Sequence, residues 1–363
     1  MGSQLRLRRT RLAFGFVVLA ASALLLGCSD DDTPTKPKPS GSWQDIGPSA
    51  NYAAVEHLTT WNGLLVASGQ FFHFQGGEDA SLLTWDGTTW NRLDPIGSGT
   101  NALAVYDGKL IAGSSAFKQV SGDTLPTIAA WDGTQWTPFD AGLNRRSVSC
   151  LALFEGDLIA GVVQGTSVSY VARWNGTSWQ QMGETLNGYV TTMTVYQNRL
   201  VIAGSFDTAG GVSTKSIAAW NGAAWEPLGS GIGGGTNSTG TVIALLADET
   251  TLVAGGEFLT AGGIPAVNAA RWNGTAWDSL PGLEHPSSYV YVRALATYEE
   301  APIMGGVFFV DPVRRWSGST WTPISTLNGV VQCLTIYDGS LIAGGYLPQS
   351  ANGVARWVPP PPG

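Results

Sequence analysis

Two stretches decide the reading: Leu151-Ala-Leu-Phe-Glu-Gly-Asp-Leu-Ile-Ala-Gly161 and, downstream of it, Trp174-Asn-Gly-Thr-Ser-Trp179. In the first, an apolar run meets a tight turn, reverses into a second apolar run and stops at glycine. In the second, two tryptophans flank Asn-Gly, a pair that tolerates the positive φ angles of tight hairpins. Together they spell four short strands joined by turns. The unit then recurs. Leu103–Gly113 and Leu334–Gly344 repeat the first stretch, and Trp85–Trp90, Trp131–Trp136, Trp220–Trp225, Trp272–Trp277 and Trp316–Trp321 repeat the second. Self-similarity at a period in the 40s is the mark of a repeat fold.

The second tryptophan of each pair falls at 90, 136, 179, 225, 277 and 321. Trp43, in Ser-Trp-Gln-Asp-Ile-Gly, matches a fourth strand with nothing before it, and Val354-Ala-Arg-Trp357 matches a third strand with nothing after it. Six pairs and two complementary halves make seven. The expected architecture is all-β: a seven-bladed β-propeller with four-stranded blades, its ring closed by the N-terminal strand completing the last blade. An open solenoid would instead want polar caps at both ends. For the fourth blade the expected strands are 191–195, 200–204, 216–220 and 224–228. Tryptophans that recur at a fixed point of every blade are expected to pack between blades.

Ahead of the repeats, residues 1–11 are basic and Ala13–Gly27 is an apolar run, too short for a bilayer span, ending in Leu25-Leu26-Gly27-Cys28. This segment resembles a bacterial lipoprotein signal. The resemblance implies that residues 1–27 are removed, that Cys28 is lipid-modified on its thiol, and that Ser29 after it directs the chain to the outer membrane or cell surface. Residues 28–41 then form the lipidated cysteine and a disordered linker rich in Pro, Asp, Thr and Lys, 42–357 the propeller and 358–363 a Pro-rich tail.

The body resembles bacterial seven-bladed propellers of the Kelch and galactose-oxidase-like superfamily. The likeness rests on the glycines ending strand two (Gly255-Gly256, Gly305-Gly306, Gly344-Gly345) and the aromatics ending strand three. Two further segments, Gly204-Ser-Phe-Asp-Thr-Ala-Gly-Gly211 and Gly256-Glu-Phe-Leu-Thr-Ala-Gly-Gly263, resemble repeats of bacterial cell-surface proteins. Trp-Asx-Gly stands where typical Kelch repeats carry Tyr-Asp-Pro. The resemblance implies a binding-type propeller without the copper site of galactose oxidase, because the tyrosines, histidines and cross-linked cysteine of that site have no counterpart here.

Composition narrows the function. The net charge is −8, and loss of Arg6, Arg8, Arg9 and Arg11 with the leader takes it to −12, which repels phosphate backbones and argues against nucleic acid. Three cysteines exclude a disulfide framework or a thiolate metal cluster. His57, His73 and His285 show no metal-ligand spacing, so neither metal nor cofactor is expected. Cys150 and Cys333 occupy the same place in two separated blades and read as free, buried, small hydrophobes. Glu56, Asp123, Asp207, Glu257 and Asp311 are not explained by turn geometry. They leave open a polysaccharide lyase or hydrolase working in the central funnel, although no catalytic residue is assigned.

The loops between strands two and three and the connections between blades are long and differ, and in a four-stranded blade both emerge on one face. Variable loops on a rigid ring are where binding sites are usually grafted. The candidate binding face comprises Phe71, Phe72, His73, Arg145, Arg146, Tyr289 and Tyr291, with Phe74, Phe308 and Phe309 nearby. The expected function is an envelope-anchored binding or scaffolding module that recognises a protein or a glycan through this face.

Overall fold

The computed structural model describes residues 41–93, 99–115, 126–234, 240–283, 290–309, 311–324, 326–347 and 352–359. Cys28, Asp123, His285 and Tyr289 lie outside them. The chain is all-β, built from seven four-stranded antiparallel units. The first unit, Tyr52–Trp61, Leu64–Phe72, Ala80–Trp85 and Trp90–Arg92, sets the pattern of neighbouring strands joined in sequence order. The second (Thr100–Tyr106 to Trp136–Pro138), fifth (Thr241–Ala247 to Trp277–Ser279) and sixth (Tyr291–Tyr298 to Trp321–Pro323) repeat it.

The third and fourth units differ from expectation. One continuous strand, Trp179–Tyr196, serves as the last strand of the third sheet and the first of the fourth. It passes from one to the other through Gly183, which takes a left-handed φ of 63°, and Leu186 then pairs with Ser169 on one side and with Ala209 on the other. The seventh sheet is the composite one. Ser42–Asp45 pairs with Val354–Val358, matching Trp43 to Trp357, and Val330–Tyr337 and Ser340–Tyr346 complete the sheet. Sequence placed this split tryptophan pair correctly, with ring centroids 5.4 Å apart, as in the Trp85–Trp90 pair.

Where a unit carries Asx-Gly in its two hairpin turns, the two work differently. Between strands one and two, Asp107 and Gly108 both take positive φ (49° and 70°), as do Asp338 and Gly339 (48° and 69°). Between strands three and four only the glycine does, and the Asx side chain closes the turn. Asp86 Oδ1 accepts from the backbone N–H groups of Thr88 and Thr89, and Asn175 Oδ1 from those of Thr177 and Ser178.

Neighbouring sheets meet through three recurrent contacts. In the second, third and fifth sheets the indole N–H of the fourth-strand tryptophan donates to a carbonyl of the preceding sheet: Trp136 to Leu93, Trp179 to Phe139 and Trp277 to Leu228, at 3.3, 2.7 and 2.9 Å. Those of Trp43, Trp225 and Trp321 are buried without a partner among the described residues. The aromatic ending strand one donates to the next sheet's first hairpin, Trp61 to Gly108 and Tyr196 to Thr250, both at 2.9 Å. At several joints a buried valine of the inner strand covers a strand-two glycine of the sheet before it; the inner strand of the second sheet carries Thr100 instead of valine, and the fourth sheet carries Ala203 instead of that glycine. Val148 Cγ1 lies 2.6 Å from where a Cβ on Gly113 would sit, and Val331 Cγ1 2.4 Å from one on Gly305. All three contacts recur between the seventh sheet and the first: Trp90 donates to Ile46 (2.5 Å), Tyr337 to Gly63 (3.2 Å), and Val55 covers Gly344 (2.8 Å). The tryptophans are thus committed to packing between and within sheets. Seven such sheets, with first strand packed on first strand, are consistent with a propeller-like fold.

Candidate binding surface

The long connections build out one end of the sheets, as expected. Phe206–Ala209 and Val212–Ser213 form a hairpin, as do Thr260–Ala261 and Ile264–Pro265, each turning at a Gly-Gly pair with positive φ. The connection into the fifth sheet, Ile232–Gly233, pairs with Thr260–Ala261, so the two kinds of loop share one surface.

On this surface the structure separates the candidate residues. Phe71 is buried in the core of the first sheet, as is Phe74, whereas Phe72 and His73 are exposed. Phe71 therefore contributes packing, not a binding group. The Phe-Phe-His-Phe run offers no polar alternation from which its inward residues could be read. His73 adopts left-handed φ and its backbone N–H donates to Asp79. Arg145 and Arg146 sit at the entrance to the third sheet, where the Arg146 guanidinium lies 5.5 Å from the centre of the Tyr170 ring. Tyr291 begins the sixth sheet under the Arg293 guanidinium, which is 4.9 Å from its ring centre and bonds its hydroxyl at 3.1 Å. Phe308 is partly buried beneath Arg314, while Phe309 stands out at 73% exposure.

What the structure brings together is a different aromatic set. Tyr52 lies 5.7 Å from Phe72 on the same sheet and 5.7 Å from Tyr346 on the seventh, with rings tilted at 49° and 38°. All three are about two-fifths exposed, at 41%, 41% and 42%. Sequence reasoning included Phe72 and missed Tyr52 and Tyr346. Aligning the ends of strand two would have shown Tyr346 where other repeats carry Gln70, Ser205, Glu257 or Val307. That is a variable position beside invariant hairpin geometry, and the paired strands place it on the loop side of the sheet.

Behind this aromatic set, each first strand carries a β-bulge at the same place. In the second, third and fourth sheets the bulged side chain is used structurally. Asn101 donates to the Val148 carbonyl (3.0 Å), Ser149 to Val190 (2.7 Å) and Thr191 to Val242 (2.5 Å), stitching each inner strand to the next. The fifth sheet carries Ile243 there, and the sixth, seventh and first carry Arg293, Gln332 and Glu56.

Electrostatics at this layer follow from burial. Glu56 has its pKa raised by desolvation. The Cys333 thiol is pushed well above its usual range by burial, with the nearby Glu56 charge adding to it, and Cys150 is pushed up to about 12. Both of these cysteines are free, and burial disfavours the thiolate of each. Among the described residues no three His, Cys, Asp or Glu side chains gather as a metal site.

His57 follows the first bulge, and burial lowers its pKa from 6.5 to about 4. The folded protein therefore favours the neutral imidazole. Its contribution to stability is complete above pH 6.5 and is lost as pH falls towards 4, by on the order of 2 kcal/mol for a ring that keeps some solvent contact. Glu56 acts in the opposite sense, since its buried charge costs stability above its folded pKa and protonation removes that cost. Melting temperatures measured from pH 7.5 to 4 should therefore fall more steeply for the native protein than for His57→Asn. Parallel curves would remove His57 from the pH response.

The fold and this surface define an all-β repeat protein of propeller-like form with a built-out loop face. No family model matches the sequence, and no curated protein matches it. Among solved structures, the crystal structure of the computationally designed Ika8 protein is similar, with a TM-score of 0.50 and 17% identity over 86% of this chain and 99% of that one. That similarity is one of fold.

Proposed function

We propose that this chain is a closed seven-bladed propeller of Kelch-like type, carried in the cell envelope on a lipidated Cys28, and that it binds a protein or glycan through its loop face. The closed ring is supported by contacts between the seventh sheet and the first of the three kinds that, in varying combination, join other neighbours. The lipid anchor rests on the Leu25-Leu26-Gly27-Cys28 sequence and the polar spacer after it. The observation that carries the binding reading is the exposed Tyr52–Phe72–Tyr346 surface. Aromatic side chains that pack elsewhere in the molecule are here left open to solvent on a rigid scaffold.

Two measurements on the full chain expressed with its leader test this. The native protein should fractionate with membranes, and Cys28→Ser should leave it unlipidated and largely released. Affinity capture from native envelopes should retain a specific protein or glycan with the intact chain, and lose it when Tyr52 and Phe72 are replaced by alanine. A Cys28→Ser protein as firmly bound as the native one would overturn the anchor. Capture that is indifferent to the aromatic pair would overturn the face.

A further inference from the structure

Two independent features converge on the sixth, seventh and first sheets. These are consecutive: the inner strand of the seventh packs against those of both the sixth and the first. At the loop end they carry the exposed Tyr52, Phe72 and Tyr346, with Tyr291 on the sixth sheet partly buried. One layer deeper they carry Arg293, Gln332 and Glu56 at the bulge position. In the second to fourth sheets that position is occupied by a side chain committed to stitching inner strands together. Here it is not. The Glu56 and Gln332 side chains make no hydrogen bond among the described residues. Arg293 bonds only the Tyr291 hydroxyl and keeps a buried, unpartnered Nε. The Arg293 Nε is the fully buried group of the three, and a buried donor without a partner is costly unless something supplies one, whereas Glu56 and Gln332 keep access from solvent.

Resting on the binding reading above, we propose that this sector is a site for a neutral saccharide. In it Tyr52, Phe72 and Tyr346 stack on the apolar faces of sugar rings while Glu56, Gln332 and Arg293 hydrogen-bond their hydroxyls. The chemistry fits on three counts. Tilted, half-exposed aromatic rings present flat apolar faces with polar edges, which suits the C–H face of a pyranose. A carboxylate acceptor, an amide that both donates and accepts, and a guanidinium donor form a mixed set that vicinal hydroxyls satisfy, since each hydroxyl donates once and accepts twice. One negative and one positive group also leave the sector without a net charge to attract an ionic ligand. The strongly acidic chain around it disfavours anionic polymers.

The test uses the full-length chain in detergent micelles. The probes are neutral hexasaccharides of glucose, mannose, galactose and N-acetylglucosamine, with hexagalacturonate as the acidic comparison and a display library of unstructured peptides as the protein comparison. At least one neutral hexasaccharide should bind. Tyr52→Ala and Tyr346→Ala should each weaken it by roughly tenfold, about 1.4 kcal/mol. Gln332→Ala should weaken it too, and Leu153→Ala, an exposed residue of the third sheet (48%), should not. Tyr52→Phe and Tyr346→Phe keep the stacking faces and should retain most binding, which separates a lost contact from a lost fold.

Neutral sugars that bind equally to native and alanine forms would overturn the site, as would binding of hexagalacturonate alone. A peptide captured in a Tyr52-dependent manner would overturn the ligand class and leave loop-face binding standing. No binding to any probe, together with an empty envelope capture, would overturn both.

Discussion

Deleting residues 41–48 should lower the melting temperature of the full chain by roughly 10 °C. The segment supplies the outer strand of the seventh sheet, where Ser42–Asp45 pairs in register with Val358–Ala355 and the Ile46 N–H donates to the Val354 carbonyl. It also supplies Trp43, packed against Trp357 with the rings tilted at 59°, and the Ile46 carbonyl that accepts the Trp90 indole N–H. Removing it uncovers Trp357, now only 8% exposed, leaves Val354–Val358 as an unpaired edge and orphans the Trp90 donor. Losing this packing and these hydrogen bonds costs on the order of 4 kcal/mol, and for a body of this size each kcal/mol is worth about 2–4 °C. Trp43→Ala keeps the backbone pairing and loses only the ring contact, so it should fall between the native protein and the deletion. Calorimetry on the three proteins decides the matter. A deletion that melts as the native chain does would show that the N-terminal strand is not what holds the seventh sheet to the first.

That latch was legible because its evidence is compositional: a tryptophan in a fourth-strand context with no third strand before it, and the reverse at the other end. Tryptophan spacing and the hairpin turns likewise located nearly every strand. Where the reading failed, the reason was local geometry. The strand Trp179–Tyr196 contains Gly183 and Gly188, which look like a break, yet pairing resumes at Leu186 on both sides and carries the strand past the left-handed Gly183. The bulge layer was harder still. A bulge slips the alternation of a strand by one residue, so inward and outward positions beyond it cannot be counted from the sequence. Its occupants, among them Asn101, Thr191, Ile243 and Glu56, share neither size nor polarity, so no motif marks them. The repeats are otherwise near-identical in sequence. The asymmetry lies in which bulged side chains bond the next strand and which do not.

The second large effect concerns the joint itself. Gly344 does not need glycine for its backbone angles; it needs it for room. A Cβ there would lie 2.7 Å from Cys333 Sγ, 2.8 Å from Val55 Cγ1 and 2.9 Å from Leu58 Cδ1. The Cys333 thiol has some freedom, but Val55 is fully buried and β-branched, so its methyl has one well and nowhere to go. Gly344→Val should therefore destabilise the protein by about 3 kcal/mol or more through overpacking. Val55→Ala made alone should cost about 1–2 kcal/mol as a cavity. Made together, the two should cost less than their sum, because the smaller residue accepts the larger, and the difference is the coupling across the joint. Gly305 and Val331 stand in the same relation between the sixth and seventh sheets, where neither chain terminus takes part. The same cycle there calibrates the measurement. Coupling of similar size at both joints means that the seventh sheet seats on the first as it seats on the sixth, which is what a closed ring requires. Coupling at Gly305–Val331 with none at Gly344–Val55 would mean that the chain is an open stack in solution, and the saccharide sector, which spans that joint, would lose its floor.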